Sequence, residues 1–175
     1  MPKLRAQSLL CLAVPVMTAG AAHAGGIELT VEIPKLSVAE YHRPYVAIWI
    51  EDASGKVAAN LSVWYDVDLK DSEGEKWLKD IRQWWRRTGR TLNMPMDGVS
   101  SPTKAPGVNK VTFPSDKGAL AKLAPGEYKL VVEATREVGG KEMVEIPFKW
   151  APGTEATASA KGKEELGAIT LKLTK

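Results

Sequence analysis

The chain has 175 residues, 26% of them charged and 44% hydrophobic, with a formal net charge of +3. That length bounds it to one domain. One cysteine and two histidines exclude an internal disulfide, and no CxxCH haem-attachment motif is present.

The first residues read as a targeting segment. Lys3 and Arg5 give a positive start, and LLCLAVPVM (Leu9 to Met17) is an apolar run. It is shorter than the roughly 18 residues a membrane span needs. AHA (Ala22 to Ala24) supplies the small residues that a signal peptidase takes. The pattern predicts a signal peptide over 1–24, cleavage after Ala24, a mature start at Gly25, and a periplasmic protein with no span left. Cys11 lacks the small residues that precede a lipid-attachment cysteine.

Removing that segment also removes Cys11 and His23, so His42 is the only histidine of the mature chain. A thiol nucleophile and a thiolate metal site are excluded. Loss of Lys3 and Arg5 takes the formal charge to +1, and the electrostatic case for nucleic-acid binding goes with it. Roughly 150 mature residues bury a sufficient core without a disulfide.

Strand signals then run along the chain. GIELTVEI (Gly26 to Ile33) alternates apolar and polar, the period of a half-buried strand. RPYVAIWIED (Arg43 to Asp52) puts Val46, Ile48 and Ile50 on one face and Tyr45, Ala47 and Trp49 on the other. The turn DASGK leads back into VAANLSVWYDV (Val57 to Val67). KVTFP (Lys110 to Pro114), GEYKLVVEATRE (Gly126 to Glu137), EMVEIPFKW (Glu142 to Trp150) and LGAITLKL (Leu166 to Leu173) complete the set. Gly139 and Gly140 mark a hairpin between the two long strands. About seven strands of this kind predict an all-β, immunoglobulin-like antiparallel sandwich occupying 25–175. APGTEATASAKGKEE (Ala151 to Glu165) reads as a mobile polar connection.

One segment breaks the β pattern. In EGEKWLKDIRQWWRRTGR (Glu73 to Arg90), Trp77, Ile81, Trp84, Trp85 and Thr88 fall on one helical face. This predicts an inserted amphipathic helix near 73–88, capped by Ser72 with Glu75 and ended at Gly89. Trp77 and Ile81 are expected against the sandwich. Arg86, Arg87 and Arg90 crowd the helix end, where cations suit the dipole.

The helix is followed by a long loop near 93–108 containing DGVSSPTKAPG (Asp97 to Gly107). Its composition alone sets turns on a surface. Taken with HRPYVAIWIED, WLKDIRQWWRR and PGEYKLVVEATREVGGKEMVEIPFKW, however, it resembles a family of predicted periplasmic proteins, a domain of unknown function. Members are often encoded beside PepSY-type membrane proteins and FAD:protein FMN transferases. The family's loop resembles a flavin acceptor motif, Asp-x-x-Ser/Thr-Gly-Ala-Thr followed by Pro-Gly. On that resemblance Asp97 takes the acidic position, Ser100 the hydroxyl position and Thr103 the acceptor, with Pro106 and Gly107 trailing. Ser101 stands where the family has Gly, and Pro102 where it has Ala. Proline fixes φ and removes a backbone donor, so the loop is stiffer than the family pattern.

The resemblance implies a non-enzymatic periplasmic accessory of a membrane redox system, with FMN covalently linked at Thr103. Its implied partners are the PepSY-type membrane reductase and the FMN transferase. Arg86 and Arg87 are expected to meet a phosphate, and Trp84 or Trp85 to stack on the isoalloxazine ring. The alternative is a partner-binding or assembly module of the same fold with no cofactor. An enzyme is not expected: no nucleophile–base pair is present, His42 before RPY reads as a strand-edge residue, and no spacing supports a metal there.

Overall fold

The computed structural model describes residues 25–151 and 153–175, and the predicted signal peptide and its cleavage lie outside them. Among the described residues nine strands form two sheets: β1 Gly26–Ile33, β2 Tyr45–Asp52, β3 Val57–Tyr65, β4 Ser100–Pro102, β5 Gly107–Pro114, β6 Gly126–Thr135, β7 Lys141–Trp150, β8 Ala156–Lys161 and β9 Ala168–Thr174. One sheet has the order β5-β1-β9-β8, the other β4-β3-β2-β6-β7. Every pairing is antiparallel except β3 with β4.

The expected sandwich is therefore the observed one, with nine strands rather than about seven. Its main core lies between the sheets, where Ile27, Leu29 and Val31 of β1 face Val46, Ile48 and Ile50 of β2. A second apolar cluster covers the outer face of the five-stranded sheet. There Tyr45, Ala47 and Trp49 of β2 meet Leu78, Ile81 and Trp84. With both faces covered, β2 is buried over seven of its eight residues.

Two strands carry little sequence signal. β8 falls inside the segment expected to be mobile. Its small, polar residues leave it mostly exposed at a sheet edge, paired only to β9. β4 falls inside the central loop and pairs Ser100, Ser101 and Pro102 with Val63, Trp64 and Tyr65. An edge position tolerates Pro102, because its missing N–H has no ladder partner to lose.

The inserted helix is also different from the expectation. Lys70–Asp80 forms 3₁₀ turns, interrupted where Asp71 and Ser72 both take φ of 53°, and a short helix α1 covers Arg82–Arg87. Ser72 is not the cap: it lies inside the segment, and the N-cap position falls at Leu69. The buried side chains Leu78, Ile81 and Trp84 lie three residues apart, one in the 3₁₀ turns, one at the non-helical junction and one in α1. Trp77 faces outward and is 49% exposed, a correction to its expected burial, whereas Ile81 is fully buried. The break at Ile81 has a donor-side cause. Glu133 on β6 reaches across and accepts the Gln83 and Trp84 backbone N–H groups, each at 2.9 Å, so the carboxylate starts α1 from outside. Gly89 acts through space rather than as a left-handed stop. A Cβ there would sit 2.6 Å from Cζ3 of Trp84.

The β6–β7 turn places its left-handed residue at Val138, with φ of 50°, and not at the paired glycines. Gly139 instead makes room for a side chain: a Cβ there would meet Cζ of Arg136 at 2.4 Å.

Candidate functional site

A cavity of about 650 Å³ opens at one end of the sandwich. It lies where the approach to β2, the ends of β3 and β6, the 3₁₀ segment and the residue after β4 converge. Thr103 is in its wall. Main-chain pairing puts it there, because Thr103 N–H donates to the Tyr65 carbonyl at 3.2 Å, directly after the β4 register ends. Its hydroxyl donates to Asp66 Oδ1 at 3.2 Å. The Tyr45 hydroxyl donates to the other oxygen, Oδ2, at 3.4 Å. Burial pushes the Tyr45 phenol up to about 12, with smaller contributions from Asp66.

Cations and apolar groups share the remaining wall. Arg43, Arg136 and Lys141 line it, as do the half-exposed Leu69 and Trp77 and the largely exposed Val138. Arg136 is only 8% exposed and forms a two-point ion pair with Glu165, through Nε and Nη2, each at 3.0 Å. Its Nη1 and the Tyr41 hydroxyl have no hydrogen-bond partner among the described residues. His42 sits between Glu40 and Glu137 at 3.0 and 3.5 Å, on the same wall. Among the described residues no three metal-binding side chains cluster.

The residues expected around Thr103 lie elsewhere. Trp84 is fully buried, with Nε1 donating to Asn60 Oδ1 at 2.9 Å, so neither ring face is open to a ligand. Trp85 is partly buried and packs at 6.2 Å, tilted, against Trp84. Arg86 is exposed, and Arg87 pairs with the buried Glu51. Asp97 is exposed in the turn before β4. Ser100 spends its oxygen on the Met96 N–H at 2.9 Å. Of the seven expected residues, Thr103 alone lines the cavity.

Residues 26–168 match a family described as "Predicted periplasmic protein (DUF2271)". The chain belongs to this family. Neither a curated protein nor a solved structure matches it. The family's matched segment begins one residue after the predicted mature start and includes every residue of the cavity wall. No described helix is long and apolar enough to cross a membrane.

Sequence reasoning missed Trp77, Arg43, Arg136 and Lys141 as neighbours of Thr103. One signal was present for Trp77. The buried Leu78, Ile81 and Trp84 are spaced by three, and Trp77 falls outside that spacing. The three cations come from the ends of β2, β6 and β7, and only the sheet order brings them together.

Proposed function

We propose that this protein is a non-enzymatic periplasmic accessory of a membrane redox system and carries FMN esterified to Thr103. The observation that supports this most is the position of the Thr103 hydroxyl. It lies in the wall of a cofactor-sized cavity that is also lined by the half-exposed Trp77 and by three cations. The residues suit the group: a hydroxyl for the ester, Arg43 and Lys141 for a phosphate, and Trp77 for a planar ring.

In the attachment step Thr103 Oγ1 forms a bond to the phosphorus of the FMN moiety of FAD. The phosphoanhydride bond breaks, AMP leaves, and the hydroxyl proton passes to a base. An FAD:protein FMN transferase activates the step, and a PepSY-type membrane reductase is the redox partner. The bound flavin supplies one- and two-electron chemistry. The chain's own task is to hold the attachment point and screen its charge.

A second reading is a partner-binding module without cofactor. It draws on Leu69, Trp77 and Val138, exposed at 45%, 49% and 77%, as a small apolar contact patch. Co-expression with an active transferase separates the two. The denatured protein band should show flavin fluorescence, Thr103→Ala should be dark, and Thr103→Ser should keep part of the signal. A dark wild-type band contradicts the carrier reading.

A further inference from the structure

We infer that the cavity is the docking pocket of the isoalloxazine ring and that Trp77, rather than Trp84 or Trp85, is its stacking platform. The inference rests on the carrier reading above and names the residues that hold the cofactor's redox-active part.

Four observations converge on it. First, Leu69, Trp77 and Val138 are three of the large apolar side chains left exposed among the described residues, and all three line the cavity that holds Thr103. A folded chain gains by covering such a patch. Second, the opposite character is present in the same wall. Arg136 Nη1 and the Tyr41 hydroxyl are enclosed behind the wall without a partner, a cost in free energy that an acceptor would relieve once a small side-chain shift exposed them. A ring with an apolar dimethylbenzene edge and a carbonyl-bearing pyrimidine edge matches that division. Third, Val138 is β-branched yet held at φ of 50° on the cavity rim. Backbone strain of this kind persists where the surroundings enforce it, and it is concentrated at ligand sites. Fourth, Lys79 places its ammonium over one face of the Trp77 indole, 5.7 Å from the ring centroid, and is not part of the cavity wall, so the other face is the one left for a second ring.

The ring is tethered through its ribityl phosphate, so its local concentration at the pocket is high, and a shallow aromatic surface holds it. Trp84 offers no such surface, because its ring is enclosed and abuts Gly89.

The test uses the flavinylated protein, with intact mass confirming attachment before each measurement. Flavin fluorescence should be quenched in the folded wild type and recover severalfold on denaturation. Trp77→Ala should raise the folded-state fluorescence severalfold and shift the flavin midpoint potential. Trp77→Phe should keep part of the quenching, and Trp85→Ala should change neither readout. Folded-state fluorescence in Trp77→Ala equal to wild type, with the circular dichroism spectrum intact, overturns the inference. If mass shows no attached FMN, the carrier reading fails on its own. The pocket is then tested with free FMN up to about 1 mM, the effective concentration of a short tether. Saturable quenching lost in Trp77→Ala upholds the pocket, and its absence overturns it.

Discussion

Thr103 and Asp66 are joined by a 3.2 Å hydrogen bond that closes the end of β4 onto the end of β3. The same carboxylate takes the Tyr45 hydroxyl on its second oxygen. A threonine in a Pro/Gly/Ser loop is thereby fixed at both backbone and side chain. Main-chain pairing sets its height on the sheet edge, and Asp66 sets the direction of its hydroxyl. Asp66 itself remains exposed, so the loop's free end stays accessible while its position is defined.

Tyr45 provides an alkaline signature of this arrangement. Burial raises its phenol to about 12 from an ordinary value of 10.0, so the folded state holds that proton more tightly than the unfolded chain does. The stability this contributes is fully present below pH 10 and is lost as pH rises towards 12. Ultraviolet titration should show a late-ionising tyrosine, and Tyr45→Phe should flatten the alkaline loss of stability. An unchanged alkaline slope in that variant would show the phenol to be ordinary.

Trp84→Ala and Trp77→Ala should separate sharply. Trp84 is fully enclosed, so its removal leaves a cavity and costs about 3–5 kcal/mol in urea unfolding. Trp77 is half exposed, and its removal should cost less than about 1 kcal/mol. Equal losses would mean that the continuous amphipathic helix is the true structure of this segment.

Glu133 should behave as the N-terminal partner of α1. Glu133→Ala leaves the Gln83 and Trp84 N–H groups unpaired in a mostly apolar setting, which costs about 1–3 kcal/mol. Glu133→Gln keeps an acceptor oxygen and should lose less. Denaturant midpoints of the two variants decide this, and a wild-type midpoint for the alanine variant would remove Glu133 from its role.

At acid pH the sensitive group is Glu142. Burial works against its charge, but backbone N–H donors from Lys163, Glu164, Glu165 and Leu166 outweigh it and hold the carboxyl below its ordinary 4.5. Its contribution is present above pH 4.5 and is lost as pH falls through the lowered value. Glu142→Gln should reduce the steepness of acid unfolding. Urea midpoints taken across pH 3–6, on the order of the carboxylate range, supply the comparison.

The sandwich was legible because β1, β2, β6 and β7 carry apolar periodicity that burial enforces. The two faces of β2 were assigned correctly from alternation alone. β8 was hidden because Ala156, Thr157, Ala158 and Ser159 form a strand through main-chain pairing to β9, with little side-chain burial. The helix was misjudged for a different reason. Trp77, Ile81 and Trp84 satisfy a 3.6-residue stripe on paper, but Glu133, distant in sequence, takes the N–H groups that a continuous helix would use. Of the residues singled out in the sequence around the loop, Thr103 alone lies in the cavity wall. Its neighbours Arg43, Trp77 and Lys141 arrive from three separate segments, and no local spacing connects them.

Covalent FMN at Thr103 is decided by the intact mass of the protein co-expressed with an FAD:protein FMN transferase. An increase of one FMN less one water is expected in the wild type and no increase in Thr103→Ala. An unmodified wild-type mass, beside a control acceptor fully labelled by the same transferase, would contradict it.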